Sequence, residues 1–316
     1  MSELKTDFSH IGQALSKVVV GQSTLIQQLL VALLCGGHII LEGAPGTGKT
    51  LLVKVLSRLI QSDFRRIQLT PDILPADILG ANIFDLNNRS FILKKGPIFT
   101  QILLADEINR TPPKTQSALL EAMEEQQVTL DGERLPLPDL FWVAATQNSL
   151  EFEGTYPLPE AQLDRFLFKL IVDYPAPTAE KQMLLNAQAG FEAKQLDLDR
   201  IAPIADVQQI LQARQAVKSI TVQEKLLDYL LSLVHKSRQH PDLALGPSPR
   251  SAVSWLRACK AHAWLANRDY VTPDDVKAVA QPLLRHRLIL SPEAQLDGLR
   301  VDNVISSLLE QVPAPR

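Results

Sequence analysis

Gly43-Ala44-Pro45-Gly46-Thr47-Gly48-Lys49-Thr50 is the stretch on which the fold turns. The apolar run His38-Ile39-Ile40-Leu41 leads into it, and the helix-patterned Leu51-Leu52-Val53-Lys54-Val55-Leu56 leads out of it. A GxxxxGK[ST] turn between a strand and a helix is a phosphate cradle. Its glycines let backbone N–H groups wrap an anion, and the helix N-terminus adds a favourable field. Read this way, Gly43 through Leu51 hold the phosphates of ATP, Lys49 meets the β- and γ-phosphates, and Thr50 ligates Mg²⁺.

Working outward, four more short apolar runs share the texture of the first: Arg66-Ile67-Gln68-Leu69, Gln101-Ile102-Leu103-Leu104-Ala105, Phe141-Trp142-Val143-Ala144-Ala145 and Phe166-Leu167-Phe168-Lys169-Leu170. Runs that do not alternate suit strands buried on both faces of a parallel sheet, and helical segments between most of them give an α/β core. One run ends in two acids, Asp106-Glu107. In such sheets ligands bind beyond the strand C-termini. Asp106 is therefore expected in the Mg²⁺ shell, with Glu107 polarising the attacking water.

Residues 178–316 read as helical throughout. Leu226 to Val234 fits a helix burying one broad face, and Ser248-Pro249 and Thr272-Pro273-Asp274-Asp275 read as helix starts. Asp173-Tyr174-Pro175-Ala176-Pro177-Thr178 is the expected boundary between a core of residues 1–175 and a smaller helical domain of 178–316. Two hairpins are expected to interrupt the core. One turns at Asn87-Asn88 within 81–95, the other at Asp131-Gly132 within 128–138.

With 32 basic and 35 acidic residues the net charge is −3, which does not suit a basic nucleic-acid coat. Cys35 and Cys259 lie far apart in apolar runs and are expected to be buried thiols, without a zinc site or disulfide scaffold. The N-terminus has no signal-peptide pattern, and the longest apolar stretch, Leu29–Cys35, is too short to span a membrane. A cytoplasmic protein is expected.

The cradle, the Asp106-Glu107 strand and Ala145-Thr146-Gln147-Asn148 together resemble the AAA+ ATPases. Longer motifs are similar to the MoxR family of the helix-2-insert group. They are Gly96-Pro97-Ile98-Phe99, Leu104 to Arg110, Pro112 to Gln116, Glu153 to Phe166 and Pro247-Ser248-Pro249-Arg250. The resemblance implies a five-stranded AAA+ core with an all-α lid. It casts Asn148 as the sensor of the γ-phosphate and Arg165 as an arginine finger entering a neighbouring subunit's site, with Arg110 as the rival. It casts Arg250 as a lid residue reaching the phosphates of its own subunit. Val20 and Gly21, one helix before the cradle, are expected against the adenine. The two hairpins are expected to face a ring pore or a client.

The resemblance further implies an ATP-driven remodeller or chaperone working as a homo-oligomeric, hexameric ring, with partners that carry a von Willebrand factor A domain. A nucleic-acid motor is the competing reading. Its hairpins would offer Arg89, Lys94, Lys95 and Arg134, but Asp85, Asp131 and Glu133 are interspersed. A scaffold that binds ATP without hydrolysing it is disfavoured by the retention of Glu107 and Arg165.

Overall fold

The computed structural model describes residues 2–148, 155–190 and 201–315. Glu153 and Gly154 of the motif above, and residues 191–200 of the helical half, lie outside the described residues.

Two helices, α1 (Ser2–Val18) and α2 (Ser23–Cys35), precede β1 (Ile39–Glu42) and the cradle, from which α3 (Lys49–Leu59) starts. The chain then forms β2 (Phe64–Gln68), the short α4 (Pro75–Leu79), and the hairpin of β3 (Gly80–Asp85) and β4 (Ser90–Lys95). Next come β5 (Ile102–Asp106), α5 (Pro113–Glu125), and the second hairpin, β6 (Gln127–Leu130) with β7 (Glu133–Pro136). The core closes with β8 (Trp142–Gln147), α6 (Glu160–Leu163) and β9 (Phe168–Ile171).

The five strands expected from the apolar runs form one parallel sheet in the order β2-β5-β8-β1-β9. Every residue of β5 is buried, as is β8 up to Thr146. Their side chains alternate between two apolar layers. Ile102, Leu104, Trp142 and Ala144 face the layer of α1, α2 and α3, whereas Leu103, Ala105, Val143 and Ala145 face the layer of α5. Burial on both faces explains the uninterrupted hydrophobicity of these runs. The edge strand β2 differs: Arg65, Arg66 and Gln68 are exposed while Ile67 is buried. Because all strands run the same way, Gly43, Gln68, Asp106 and Gln147 gather along one edge of the sheet.

His38, just before β1, is buried between sheet and helix. Its Nδ1 accepts the Val143 N–H at 3.0 Å and its Nε2 pairs with the Met123 carbonyl at 3.2 Å, which fixes a neutral tautomer. Burial lowers its pKa from 6.5 to about 4.

Beyond α7 (Pro177–Gln188), the helical half contains α8 (Val207–Lys218), α9 (Glu224–Arg238), α10 (Pro249–Leu265), α11 (Pro273–Ala278), α12 (Ala280–Leu284), α13 (Pro292–Leu296) and α14 (Val301–Gln311). The expected starts are real caps. The Ser248 hydroxyl accepts the Ser251 N–H, and Thr272 and Asp275 form a capping box. A two-stranded ribbon, β10 (Leu243–Leu245) with β11 (Ile289–Leu290), was not legible in the helical texture. One apolar cluster continues from α2 and α3 into α8, α9 and α10, taking in Trp255, Cys259 and Trp264. Phe8 packs edge-on against Trp264 at 5.3 Å.

The lid is also fastened to the core by polar groups. Buried Arg287 donates to Asp164 Oδ1 at 2.6 Å and to the carbonyls of Phe166, Leu167 and Leu283. His286 pairs with the Phe166 carbonyl, and Arg285 donates to that of Lys169. No described helix is long and apolar enough to cross a membrane.

Candidate nucleotide-hydrolysis site

The strand ends converge on a cavity of about 620 Å³ lined by Pro45 through Leu51, Lys54, Asp106, Glu107, Thr146, Gln147 and Asn148. Two local features shape the cradle. Gly46 and Gly48 sit at φ +81° and +85° with no heavy atom within 4 Å of where a Cβ would stand. That left-handed backbone is open to an incoming phosphate and is strained for any other residue. Gly43 is the opposite case: a Cβ there would lie 2.3 Å from the Val172 carbonyl oxygen, so only glycine lets the loop leave β1 beside β9.

Lys49 Nζ donates to the Gly43 and Ala44 carbonyls, both at 2.7 Å. Burial lowers its pKa, and the nearby Asp106 and Glu107 oppose that shift. The ammonium thus rests on the loop it would leave for a phosphate.

Thr146 orders the two acids. Its hydroxyl donates to Asp106 Oδ1 and accepts the Glu107 backbone N–H at 2.9 Å. Glu107 is held at φ 60°, ψ 52°, a left-handed conformation uncommon for a non-glycine residue and often found at functional sites. The other carboxylate positions are occupied from the edge strand. Arg66 donates to Asp106 Oδ2 through Nε at 3.0 Å and Nη2 at 2.7 Å. Gln68 Nε2 donates to Glu107 Oε2 at 2.8 Å, and Arg110 Nη1 reaches the same oxygen at 3.1 Å. The rival finger therefore contacts the carboxylate of its own subunit.

These residues fit MgATP. An open N–H cradle, a cavity-lining lysine, a threonine at the helix start and a carboxylate at the end of β5, two strands from β1, are the donor set that a magnesium triphosphate requires. Thr50 and Asp106 would hold the metal, which supplies charge neutralisation across the β- and γ-phosphates.

A second cavity, of about 560 Å³, adjoins the cradle at Gly46, Thr47, Gly48 and Leu51. Val18, Val19 and Val20 line one side of it; Tyr174 and α7, through Met183 and Leu184, line the other. Its apolar walls suit a purine base. Gly21 is not among the lining residues. It stands at φ +80°, where a Cβ would lie 2.6 Å from that of Ala179, so it lets the turn after α1 pack on the start of α7.

Arg165 and Arg250 line neither cavity. Both bind one carboxylate: Arg165 Nε lies 2.7 Å from Glu124 Oε2, and Arg250 Nη1 lies 2.7 Å from Glu124 Oε1. Hydrogen bonds from Arg165 first, and then Arg250, lower the pKa of Glu124. In this structure Arg250 pairs with Glu124 and does not line the cavity of its own subunit, where the resemblance expects it. The Arg287–Asp164 joint, with Ser251 on the same Asp164, seats the start of α10 against α5 and α6 instead.

Residues 38–168 match the family model for the ATPase family associated with various cellular activities (AAA), and residues 235–308 match its AAA lid domain. Chaperone MoxR1 of Mycobacterium tuberculosis is 40% identical, over 95% of this chain and 80% of its own. The chain is a MoxR-family AAA+ ATPase. The Bacillus subtilis protein YeaC is 43% identical over 95% of this chain and 92% of its own. The crystal structure of a protein from Cytophaga hutchinsonii, named a "putative ATPase", superposes with a TM-score of 0.89 at 39% identity, covering 99% of this chain and 96% of that one.

In this MoxR ATPase the expected Pro45 to Leu51, Asp106, Glu107 and Asn148 line one cavity. Sequence patterns alone did not single out Thr146, Arg66, Gln68 or Lys54. Thr146 stood beside the chosen Asn148, and the adjacency of β5 and β8 was the signal that could have found it. Glu124 carried no signal, since an exposed Glu-Glu pair at a helix end reads as ordinary solvation.

Proposed function

We propose that this ATPase works as a homo-oligomeric, hexameric ring in the cytoplasm, and that it couples hydrolysis to remodelling or maturation of client proteins. Residues 1–175 act as the nucleotide-binding core and 178–316 as the lid. In this reading MgATP is held by Gly43, Ala44, Pro45, Gly46, Thr47, Gly48, Lys49, Thr50 and Leu51. Thr50 and Asp106 carry the metal, Glu107 orients water, Asn148 senses the γ-phosphate, and Val20 borders the base, with Gly21 setting the turn beside it.

One observation carries the oligomeric part. The cationic side chains of Arg165 and Arg250 sit together on Glu124, outside the cavity that gathers the other expected parts. An arginine finger raises turnover by roughly 10³–10⁵ in phosphoryl transfer. Two arginines on one exposed carboxylate are suited to enter the cavity of a second copy, so Arg250 is proposed to act there with Arg165. Head-to-tail use of two different surfaces builds a ring when the rotation between neighbours closes.

A protein client is favoured over nucleic acid by the first hairpin. Ile83, Phe84, Leu86, Phe91 and Ile92 are exposed there, with Phe84 and Phe91 in edge contact at 5.3 Å. An exposed apolar patch of this kind marks a protein-binding surface. The client's presenter is proposed to carry a von Willebrand factor A domain.

Subunit mixing tests the shared site. Arg165→Ala and Lys49→Ala proteins should each be nearly inactive, the first still binding ATP. Mixed oligomers should regain hydrolysis where an Arg165→Ala subunit supplies the cradle and its neighbour supplies Arg165. Mixed oligomers that stay as inactive as their parents would refute the shared site.

A further inference from the structure

Asp106 ends the interior strand β5 and is the carboxylate placed to hold a metal, yet both its oxygens are already engaged. Thr146 donates to Oδ1, and Arg66 donates twice to Oδ2. The two contacts differ in kind. Thr146 is buried within the sheet and neutral, so it can orient the carboxylate while a metal binds. Arg66 is a cation on the edge strand with its side chain 45% exposed. Two cations that seek the same lone pairs exclude one another, and a half-exposed guanidinium contact is weak enough to yield to a divalent ion.

We propose that Arg66 is a positioning residue that competes with Mg²⁺ for Asp106 and is displaced as the magnesium nucleotide enters. This inference rests on the reading of the first cavity as a MgATP site and adds a regulator to it. Arg66 neutralises and orients the carboxylate in the nucleotide-free protein, and it raises the Mg²⁺ concentration that binding demands.

The exchange reaches Glu107 as well. Arg66 Nη2 also donates to Gln68 Oε1 at 2.8 Å, and Gln68 in turn donates to Glu107 Oε2. Residues 66 and 68 lie two apart on one strand and so share a face. When Arg66 leaves, Gln68 loses the contact that orients its amide, and its hold on Glu107 loosens. Metal occupancy at one acid thereby releases the other. The displaced guanidinium has somewhere to go: a separate cavity of about 490 Å³ is lined by Arg66 together with Asp63, Lys54 and Arg58. Asp63 offers it a second carboxylate.

The test measures binding without turnover. A fluorescent ADP is titrated into the full-length protein at fixed Mg²⁺ concentrations from EDTA upward, and the electron paramagnetic resonance of Mn²⁺ reports metal binding directly. Arg66→Gln removes the competitor. Arg65→Gln removes the same charge one residue away, on the opposite face of the strand. Arg66→Gln should lower the half-saturating Mg²⁺ concentration about two- to fivefold, as expected for loss of one half-exposed ion pair. Nucleotide affinity in EDTA should change little, and Arg65→Gln should match wild type. An unchanged or raised Mg²⁺ requirement in a folded Arg66→Gln protein would overturn the proposal, as would an equal shift in Arg65→Gln, which would mean a diffuse charge effect. Failure of the wild type to bind the fluorescent ADP would instead sink the nucleotide-site reading on which the proposal rests.

Discussion

Thr146 offers a demanding test of the site, because a single hydroxyl joins the two acids. Thr146→Val replaces that hydroxyl with a methyl of similar size at a position only 2% exposed. Two hydrogen bonds disappear. The Glu107 N–H loses its acceptor at 2.9 Å, and an unsatisfied buried donor costs about 1–3 kcal/mol. Asp106 loses a bond to a charged acceptor, worth about 1.5–3 kcal/mol. Arg66 still holds the other oxygen, and contributions within one network do not add, so a net loss of about 2–4 kcal/mol is expected. The kinetic effect comes from geometry. Glu107 is kept at φ 60°, a conformation that costs about 1–2 kcal/mol for a non-glycine residue. Without the Thr146 bond nothing at its own N–H opposes relaxation, the carboxylate moves, and turnover should fall about 10²-fold.

Urea unfolding and steady-state phosphate release on the same preparations read both effects. Thr146→Ser keeps the oxygen and should stay within about 1 kcal/mol of wild type, as expected when only a methyl is lost. A folded Thr146→Val protein that turns over within a few-fold of wild type would refute the argument that this hydroxyl poises Glu107.

Other consequences can be checked separately. Glu107→Gln should bind MgATP about as tightly as wild type by calorimetry while turnover falls by orders of magnitude, since the cradle, Thr50 and Asp106 remain; near-normal turnover would remove Glu107 as the residue that orients water. Asp164→Ala leaves the cation of Arg287 buried without its carboxylate and should cost about 3 kcal/mol in urea unfolding. His38 has its pKa lowered by burial from 6.5 to about 4, so folding favours its neutral form. That contribution is fully present above pH 6.5 and is lost as the pH falls toward 4, on the order of 3 kcal/mol in all. His286, also buried and also shifted down, acts in the same direction. Urea midpoints should therefore fall between pH 7.5 and 5, and flat stability over that range would contradict both assignments.

What was legible in the sequence follows physical lines. β1, β5 and β8 are buried on both faces, so their apolar runs announced them, and the order of the sheet put Lys49 and Asp106 on one edge. The second hairpin was legible because Asp131 and Gly132 both need positive φ. The edge strand β2 gave a weaker signal. Its Arg65, Arg66 and Gln68 look like surface residues, and only the pairing of β2 with β5 turns Arg66 and Gln68 toward the acids. The contact of Arg250 with Glu124 was illegible for a related reason. A helix-start arginine in a lid invites a partner anion, and the chain alone does not say whether that anion is a phosphate or Glu124.

The position of Arg250 also bears on how nucleotide binding is communicated. A lid that swung to carry Arg250 to its own phosphates would first have to leave Glu124. It would then have to pull Arg287 from Asp164 and from the carbonyls of Phe166 and Leu167, and His286 from Phe166. Breaking one such buried cation pair costs about 3–5 kcal/mol, before the apolar cluster shared by α2 and α10 is opened. A change of that size calls for a ligand with an equally large preference for the closed form. The part of the helical half nearest the nucleotide is bound far less tightly. α7 buries none of its residues, exposes Met183, Leu184 and Leu185, and forms one wall of the base cavity. Local adjustment of α7 therefore costs little, whereas rotation of the whole lid costs much. We propose on these grounds that α7 responds to the base within one subunit, while the paired arginines of the next act beside Asn148 at the γ-phosphate.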